Sequence, residues 1–356
     1  MFRNIDIETA FAMEQPVWID ARSPAEFTNA HIPGAINIPL FNDSQRAEIG
    51  TLYHHLGKEA ATEQAVRIVS PKIPALIEAC RRQLPPKGKA VIYCWRGGKR
   101  SYTLAALLDL ADIPVFRLTG GFRAYRQYIL EQLKDFPYPR FLLLHGLTGV
   151  GKTALLHRLA ESQLPVLDLE QLAGHRGSAF GSVGEIEPRN QKAFDALLYH
   201  QLLQVQHAPL VLMEAESKHI GRIALPDSLL EQRHRAIHVM ITASVPKRVE
   251  RIMQEYSQAI ETRTGKERFH RQVKEAFERI HSRLPQEVEP VLRHQLDQEN
   301  YAEVIRGLLL YYYDPRYRHA QEHYPIACEV EAEDLDKAAA ALIRIYQREA
   351  TATHPV

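Results

Sequence analysis

The sequence predicts an α/β protein of two domains with a mostly helical C-terminal region. Short apolar runs at residues 17–20, 90–93 and 115–118 lead into polar or glycine-rich segments, as buried parallel strands do at the functional edge of an α/β sheet. A second series of such runs begins at residue 140. A cysteine loop in the first half and a glycine loop in the second half mark two candidate sites.

The first domain is predicted from its strands and the helices between them. Helices are expected at residues 73–84 and 101–110, and a Gly-Gly pair follows the strand at 115–118. Two prolines within residues 136–139 break any helix and mark a boundary. We therefore expect a first domain over residues 1–136, a linker at 137–140, and a second domain over 141–356.

The second domain repeats the strand-and-helix pattern before it becomes helical. Apolar runs predict strands, and amphipathic or polar stretches predict helices. The predicted strands are residues 140–145, 166–169, 210–214 and 238–241. The predicted helices are residues 152–161, 248–256, 266–283 and 334–349.

Composition excludes several classes of protein. The 356 residues carry a net charge of +1, are 45% apolar and include only three cysteines. No stretch reaches the ~20 apolar residues that a membrane span needs, and the N-terminus lacks the apolar core of a signal peptide. We expect a cytoplasmic protein with reduced thiols and no membrane contact, and a monomer because no heptad seam is present.

Residues 94–101, CWRGGKRS, place a cysteine between an apolar strand and a helix. Backbone N–H groups converge at a helix N-terminus, and Arg96 and Arg100 add positive charge. This setting favours a thiolate, so we predict that Cys94 is a nucleophile that handles sulfur, selenium or phosphate. Cys80 and Cys328 are predicted to be structural.

Two upstream segments complete a resemblance. Residues 20–27, DARSPAEF, and 30–39, AHIPGAINIP, together with the Cys94 loop, resemble the rhodanese family over about residues 1–135. The resemblance implies that the cysteine carries a persulfide or selenide, and that Arg22 and Glu26 belong to the scaffold, where we expect them to form an ion pair. The Cys94–Arg100 spacing also matches cysteine phosphatases, and loop length does not exclude that chemistry.

Residues 146–153, GLTGVGKT, form a complete phosphate loop between a strand and a helix. Its predicted phosphate-binding residues are Gly146, Thr148, Gly149, Val150, Gly151, Lys152 and Thr153. Thr153 would ligate Mg²⁺ if the site uses a metal, with Glu214 as the first acidic candidate and Asp168 as the second.

Two further segments make the family resemblance more specific: residues 174–181, GHRGSAFG, and 214–221, EAESKHIG. With the two loops, they resemble bacterial tRNA 2-selenouridine synthases over essentially the whole length. Secondary or substrate roles are assigned to Asp168, His175, Arg176, Ser178, Glu214 and Glu216.

The resemblance implies a transferase that acts on the wobble 2-thiouridine of the Lys, Glu and Gln tRNAs. Geranyl diphosphate would first alkylate the sulfur, and selenophosphate would then supply selenium. The phosphate loop would hold the diphosphate, and Cys94 would accept or position selenium with Arg96 and Arg100. An enzyme that produces selenophosphate is a candidate partner.

A tRNA substrate requires a basic surface, because Lys and Arg contact its phosphates. The predicted contacts are Lys247, Arg248, Arg263, Lys266, Arg268, Arg271, Lys274 and Arg316. The tyrosines at 311–313 are candidates either for base stacking or for core packing.

Two alternatives remain open from the residues alone. An ATP-dependent tRNA sulfurtransferase would use the same two loops with different substrates. A non-catalytic module, with an inactive rhodanese-like domain and a nucleotide switch, would not need a reactive thiol at Cys94.

Overall fold

The structure, a computed structural model, describes residues 2–84, 89–175, 189–259, 265–316 and 324–352. The chain divides into two compact units. The first comprises Met1–Leu133 with Asp195–Tyr199, and the second comprises Lys134–Phe194 with His200–Val356. Each unit contains a five-stranded sheet, and the predicted α/β class is confirmed.

The sheet of the first unit is parallel throughout. Its strands are β1 (Arg3–Ile5), β2 (Val17–Asp20), β3 (Ile36–Asn37), β4 (Ala90–Tyr93) and β5 (Val115–Leu118). The order is β1-β5-β4-β2-β3, so β4 is central. All four β4 residues are buried, which explains why this strand is a continuous apolar run.

Helices flank this sheet. They are α1 (Ile7–Phe11), α2 (Pro24–Asn29), α3 (Asp43–Val69), α4 (Ile73–Gln83), α5 (Lys99–Leu110) and α6 (Gly121–Lys134). Capping boxes begin α2 at Ser23 and α3 at Asn42. Helix α3 is kinked at Gly57, whose φ is 86°.

The sheet of the second unit is also parallel. The strands of this unit are β6 (Phe141–His145), β7 (Val166–Leu167), β8 (Val211–Glu214), β9 (His219–Ile220), β10 (Ile223–Ala224), β11 (Ile237–Thr242) and β12 (Ile326–Glu331). The sheet order is β12-β11-β6-β8-β7, and β9 and β10 form a separate antiparallel pair.

The helices of the second unit surround the sheet and extend beyond it. They are α7 (Lys152–Glu161), α8 (Leu169–Ala173), α9 (Gln191–Val205), α10 (Asp227–Glu231), α11 (Val245–Ala259), α12 (Lys266–Glu278), α13 (Glu289–Asp297), α14 (Tyr301–Leu308) and α15 (Leu335–Thr351). Residues Asp195–Tyr199 of α9 belong to the first unit. Helices α11 to α14 enclose their own core, in which Phe269 and Phe277 are fully buried. No helix among the described residues is long and apolar enough to cross a membrane.

The C-terminal region is mostly helical, as predicted, but it also contains strand β12, which was not predicted. It pairs with β11 at the edge of the sheet. Its Glu329 and Glu331 are exposed, and only Val330 is buried. An edge strand with so little apolar content lacks the continuous apolar run that identified the central strands.

Candidate functional site

The Cys94 loop joins the carboxyl end of β4 to the N-terminus of α5. Cys94 is only 3% exposed. Its Sγ lies 3.2 Å from the Oγ of Ser101, which also donates to the Gly98 carbonyl at 3.2 Å. Ser101 stands in the loop motif, but no role was predicted for it. The structure makes it a polar neighbour of the thiol.

Glycines allow two turns to meet at this loop. Gly97 and Gly121 have φ angles of 62° and 59°. A Cβ on Gly121 would lie 2.1 Å from the Cys94 carbonyl oxygen. The Phe122 N–H donates to that same oxygen at 2.8 Å. Backbone contact therefore fixes the loop behind the cysteine, and a side chain at Gly121 would disrupt it.

The two loop arginines have different surroundings. Arg96 is exposed. The Arg100 guanidinium forms a short contact with Glu26 and a second hydrogen bond to its other oxygen at 3.2 Å. This hydrogen bonding holds the pKa of Glu26 below its usual range, although partial burial opposes it. Arg100 is therefore anchored beside the loop by a carboxylate.

The predicted ion pair between Arg22 and Glu26 is wrong, because Arg22 pairs with Asp20 and Glu26 pairs with Arg100. Arg22 donates from Nη2 to Asp20 at 2.6 Å and to the Ala30 carbonyl at 2.6 Å, and both side chains are buried. Its guanidinium also lies 4.3 Å from the Phe122 ring centroid. Asp20 is two residues from Arg22, so the local partner satisfies the buried charge.

The phosphate loop follows β6 and precedes α7, as predicted. Gly146, Gly149 and Gly151 all have positive φ angles. Cβ atoms on them would lie within 2.5 to 2.8 Å of the Ile241 carbonyl, Ile252 and Leu335, respectively. Lys152 Nζ donates to the Gly146 carbonyl at 3.0 Å. The loop therefore has the close backbone packing that only glycines permit.

Three carboxylates lie together in this unit: Glu170, Glu214 and Glu216. One oxygen from each lies within 4.8 Å of the others. Thr153 Oγ1 donates to Glu170 at 3.3 Å, so the phosphate loop contacts the cluster directly. Glu214 ends β8 as predicted and is 2% exposed. Glu170 was not predicted, because a glutamate in a short helix gives no sequence signal.

The cluster has the character of a cation site. The Glu214 Oε1 is buried and has no hydrogen-bond partner among the described residues. Burial and the nearby Glu170 raise the pKa of Glu214 well above its usual range, and they raise the pKa of Glu216 to about 7. Carboxylate oxygens and a threonine hydroxyl are ligands that Mg²⁺ accepts. These residues therefore fit a magnesium ion.

Asp168, the second acidic candidate, has a different role. Its Oδ1 accepts from the Gln171 N–H at 2.8 Å and caps α8, and its Oδ2 lies 3.0 Å from His157 Nε2. The side chain is thus engaged in holding α8. The His175 ring packs against Gly221, where a Cβ would lie 2.9 Å from it. Arg176 and Ser178 lie outside the described residues.

Arg248 was predicted to contact RNA, but its side chain is only 1% exposed, so it does not belong to a surface that RNA could reach. It donates to Asp314 at 2.9 and 2.6 Å and from Nε to the Thr148 carbonyl at 2.8 Å. Arg251, also buried, donates to the Val150 carbonyl at 2.8 Å. These two buried arginines therefore hydrogen-bond to backbone carbonyls of the phosphate loop and do not face solvent.

The other predicted RNA contacts are mostly on the surface. Lys247 pairs with Glu250, Lys266 with Glu299, and Lys274 with Asp297. Arg268 and Arg271 are exposed on α12, and Arg316 lies 4.0 Å from the Tyr312 ring centroid. Tyr312 and Tyr313 pack in the helical core, while Tyr311 is exposed. Arg263 lies outside the described residues.

A pair of histidines beside the phosphate loop was not predicted. His145 ends β6, and its Nε2 lies 2.8 Å from His238 Nδ1, while His238 Nε2 lies 3.0 Å from the Arg233 carbonyl. Burial and the neighbouring His238 lower the pKa of His145 to about 4. Burial also lowers the pKa of His238. Both rings are therefore neutral at pH 7.

The fold and the two loops define a protein in which a rhodanese-like domain is joined to a phosphate-loop domain. Residues 6–128 match the rhodanese-like domain model. Residues 139–345 match the model of the tRNA 2-selenouridine synthase AAA domain. The chain belongs to the tRNA 2-selenouridine synthase family, and the resemblance found in the sequence is confirmed.

Individual relatives cover most of the chain. A protein named tRNA 2-selenouridine synthase from Nitrosomonas europaea is 32% identical, over 88% of this chain and 90% of its own length. One of the same name from Pseudomonas fluorescens is 34% identical over 88% and 90%. A third, from Bdellovibrio bacteriovorus, is 36% identical over 67% and 64%.

Proposed function

We propose that this chain is a transferase that converts 2-thiouridine in tRNA to 2-selenouridine, with S-geranyl-2-thiouridine as the intermediate. The observation that supports this best is the combination of two anion sites of different chemistry in a chain of this family. One is a thiol loop with arginines, and the other is a phosphate loop beside three carboxylates.

In the first step, the thione sulfur of the uridine attacks the allylic C1 of geranyl diphosphate. A C–S bond forms, the C1–O bond breaks, diphosphate leaves with the electron pair, and the base loses its N3 proton. Lys152 and the backbone N–H groups of residues 149–153 would bind the diphosphate and stabilise the charge that develops on the leaving oxygen.

A magnesium ion, when bound, would neutralise charge on the diphosphate oxygens. Thr153, Glu170, Glu214 and Glu216 would hold it, since their oxygens lie together beside the phosphate loop.

In the second step, the selenium of selenophosphate attacks C2 of the S-geranyl base. The C2–S bond breaks and geranylthiol leaves with a proton. Water then cleaves the Se–P bond and releases phosphate, so no redox partner is needed. Cys94 would position the selenium donor, and Arg96 and Arg100 would neutralise its phosphate.

The test is mass spectrometry of a 2-thiouridine anticodon stem-loop incubated with each donor alone and with both. We expect a geranyl adduct with geranyl diphosphate, and replacement of sulfur by selenium when selenophosphate is added. Cys94→Ala should stop after geranylation, and Lys152→Ala should block geranylation. Selenation by Cys94→Ala, or normal geranylation by Lys152→Ala, would refute the corresponding half.

A complete phosphate loop beside carboxylates also suits ATP, so the sulfurtransferase alternative must be tested too. The same assay, repeated with ATP and a sulfur source, tests it. Tight ATP binding, with diphosphate release in the absence of a prenyl donor and thiolation of an unmodified uridine, would replace the proposal.

We further propose that α12 contributes to tRNA binding through Arg268 and Arg271, which are exposed. Reversing both charges to glutamate should weaken tRNA binding and reduce the slope of log K against log salt concentration by about 1 per lost contact. The matched control reverses two exposed cations on α15, Lys337→Glu with Arg348→Glu. Equal affinity and slope in both variants would remove α12 from the interface.

A further inference from the structure

The first unit contains a cavity of about 1040 Å³ beneath α3. This volume is slightly above the usual range of small-molecule sites, ~300–1,000 Å³. Helix α3 has 27 residues, of which only Ala61 and Val69 are buried. Tyr53, Leu56 and Val66 on the same helix are 56, 68 and 58% exposed. The helix therefore leaves much of its apolar surface without a partner in its own unit.

The lining of the cavity is apolar with a cationic part. The apolar part comes from several elements, for example Val69 on α3, Ile73 on α4 and Leu107 on α5. The cations are Arg46, Lys58, Lys99 and Arg100. None of the described lining residues is acidic. This combination suits an apolar chain that is attached to an anionic group.

The cavity adjoins α5, the helix that follows the thiol loop. Lys99, Arg100, Thr103 and Leu107 of α5 form one wall. Arg100 also lies in the first turn of α5, directly after the Cys94 loop. The next residue, Ser101, contacts the Cys94 thiol. A molecule in the cavity would therefore lie beside the first turn of α5, directly after the loop that contains Cys94.

We propose that this cavity holds the ten-carbon terpenyl chain of S-geranyl-2-thiouridine during the second step and receives the departing geranylthiol. The inference rests on the proposed function. The intermediate combines an apolar chain with the phosphates of RNA, and its leaving group is apolar. The cavity offers an apolar wall with cations in the same unit as Cys94.

The experiment supplies the full-length protein with selenophosphate and a synthetic stem-loop that already carries S-geranyl-2-thiouridine. Ala61→Trp fills the cavity from α3, and Glu59→Trp places the same side chain at an exposed position two residues away that does not line it. We expect Ala61→Trp to raise the KM for the geranylated RNA at least tenfold. Glu59→Trp should behave as the wild type.

Chain length provides a second readout. A stem-loop with S-methyl-2-thiouridine presents the same C2 centre without the terpenyl chain. The wild type should prefer the S-geranyl substrate, and Ala61→Trp should lose that preference while its turnover of the S-methyl substrate stays within about twofold. Val66→Asp, at an exposed lining position, tests the same point if Ala61→Trp does not fold.

The possible outcomes distinguish a failure of the cavity inference from a failure of the proposed function. If the wild type selenates the geranylated RNA and both cavity variants keep its KM and chain preference, the cavity inference is refuted and the proposed function stands. If the variants lose only geranylation of 2-thiouridine by geranyl diphosphate, the cavity binds the free donor and the inference is also refuted. If the wild type acts on neither RNA, the proposed function itself fails.

Discussion

At the scale of single residues, the buried carboxyl group of Glu214 and the half-buried one of Glu216 set the pH behaviour of the phosphate-loop site. Burial and the nearby Glu170 raise the pKa of Glu214 well above its usual range and the pKa of Glu216 to about 7. A raised carboxyl pKa keeps the neutral form below that pKa, and negative charge appears as the pH rises through it. A cation must therefore displace protons to bind at neutral pH.

We expect Mg²⁺ affinity to increase from pH 6 to pH 8, with protons released on binding. Titration calorimetry in buffers of different ionisation enthalpy measures both quantities. Glu214→Gln should weaken binding at least tenfold, about 1.4 kcal/mol, and reduce proton release. Glu161→Gln, at an exposed position on α7, is the control. An affinity that does not change with pH, and that Glu214→Gln leaves intact, would contradict this assignment.

Sequence reasoning found the residues whose position follows from a strand end. Glu214 was predicted because it ends an apolar run, and the structure places it at the end of β8. Glu170 was missed because its approach to Thr153 depends on how α8 packs. The burial of Arg248 was missed for a similar reason, since its partner Asp314 is 66 residues away.

At the scale of elements, the turn between β5 and α6 determines the shape of the Cys94 loop. Gly121→Ala would introduce a Cβ at 2.1 Å from the Cys94 carbonyl, at a φ of 59°. We expect the free energy of unfolding of the first unit to fall by about 2 kcal/mol or more. Both tryptophans, Trp18 and Trp95, lie in this unit, so tryptophan fluorescence during urea unfolding measures the change.

Gly98→Ala is the matched comparison for that measurement. Gly98 has a φ of −89°, and a Cβ there would meet nothing within 4 Å. Its substitution should cost less than about 1 kcal/mol. Equal losses in the two variants would show that the close approach of the two turns contributes little to stability.

The bounds of an element were predicted correctly where its segment carried one clear sequence pattern, such as a continuous apolar run or a phosphate loop followed by a helix. Helix α7 was predicted with its observed bounds, and the central strands β2, β4 and β5 were too. Strand β1 was missed because its three residues, Arg3–Ile5, are mostly exposed. The kink at Gly57 in α3 also has no periodic signature.

At the scale of the whole molecule, the proposed assignment of one step to each unit predicts complementation. Cys94→Ala should accumulate geranylated tRNA, and Lys152→Ala should selenate geranylated tRNA made elsewhere. A mixture of the two variants with both donors should therefore form 2-selenouridine, detected by mass spectrometry, while either variant alone should not. The double variant mixed with Cys94→Ala is the control.

The absence of product in the mixture, with each variant active in its own step, would mean that the intermediate does not pass between molecules. Selenation by one variant alone would contradict the division of labour.

The buried pair between Arg248 and Asp314 limits how this chain can be shortened. Arg248 holds the Thr148 carbonyl of the phosphate loop, while Asp314 comes from the far end of the helical region. A truncated version that ends before residue 314 would leave a guanidinium buried without its counter-ion behind the loop, a change that costs about 3–5 kcal/mol. Any minimal version of the enzyme for biotechnology must therefore keep the C-terminal helices, although they lie far along the chain from either loop.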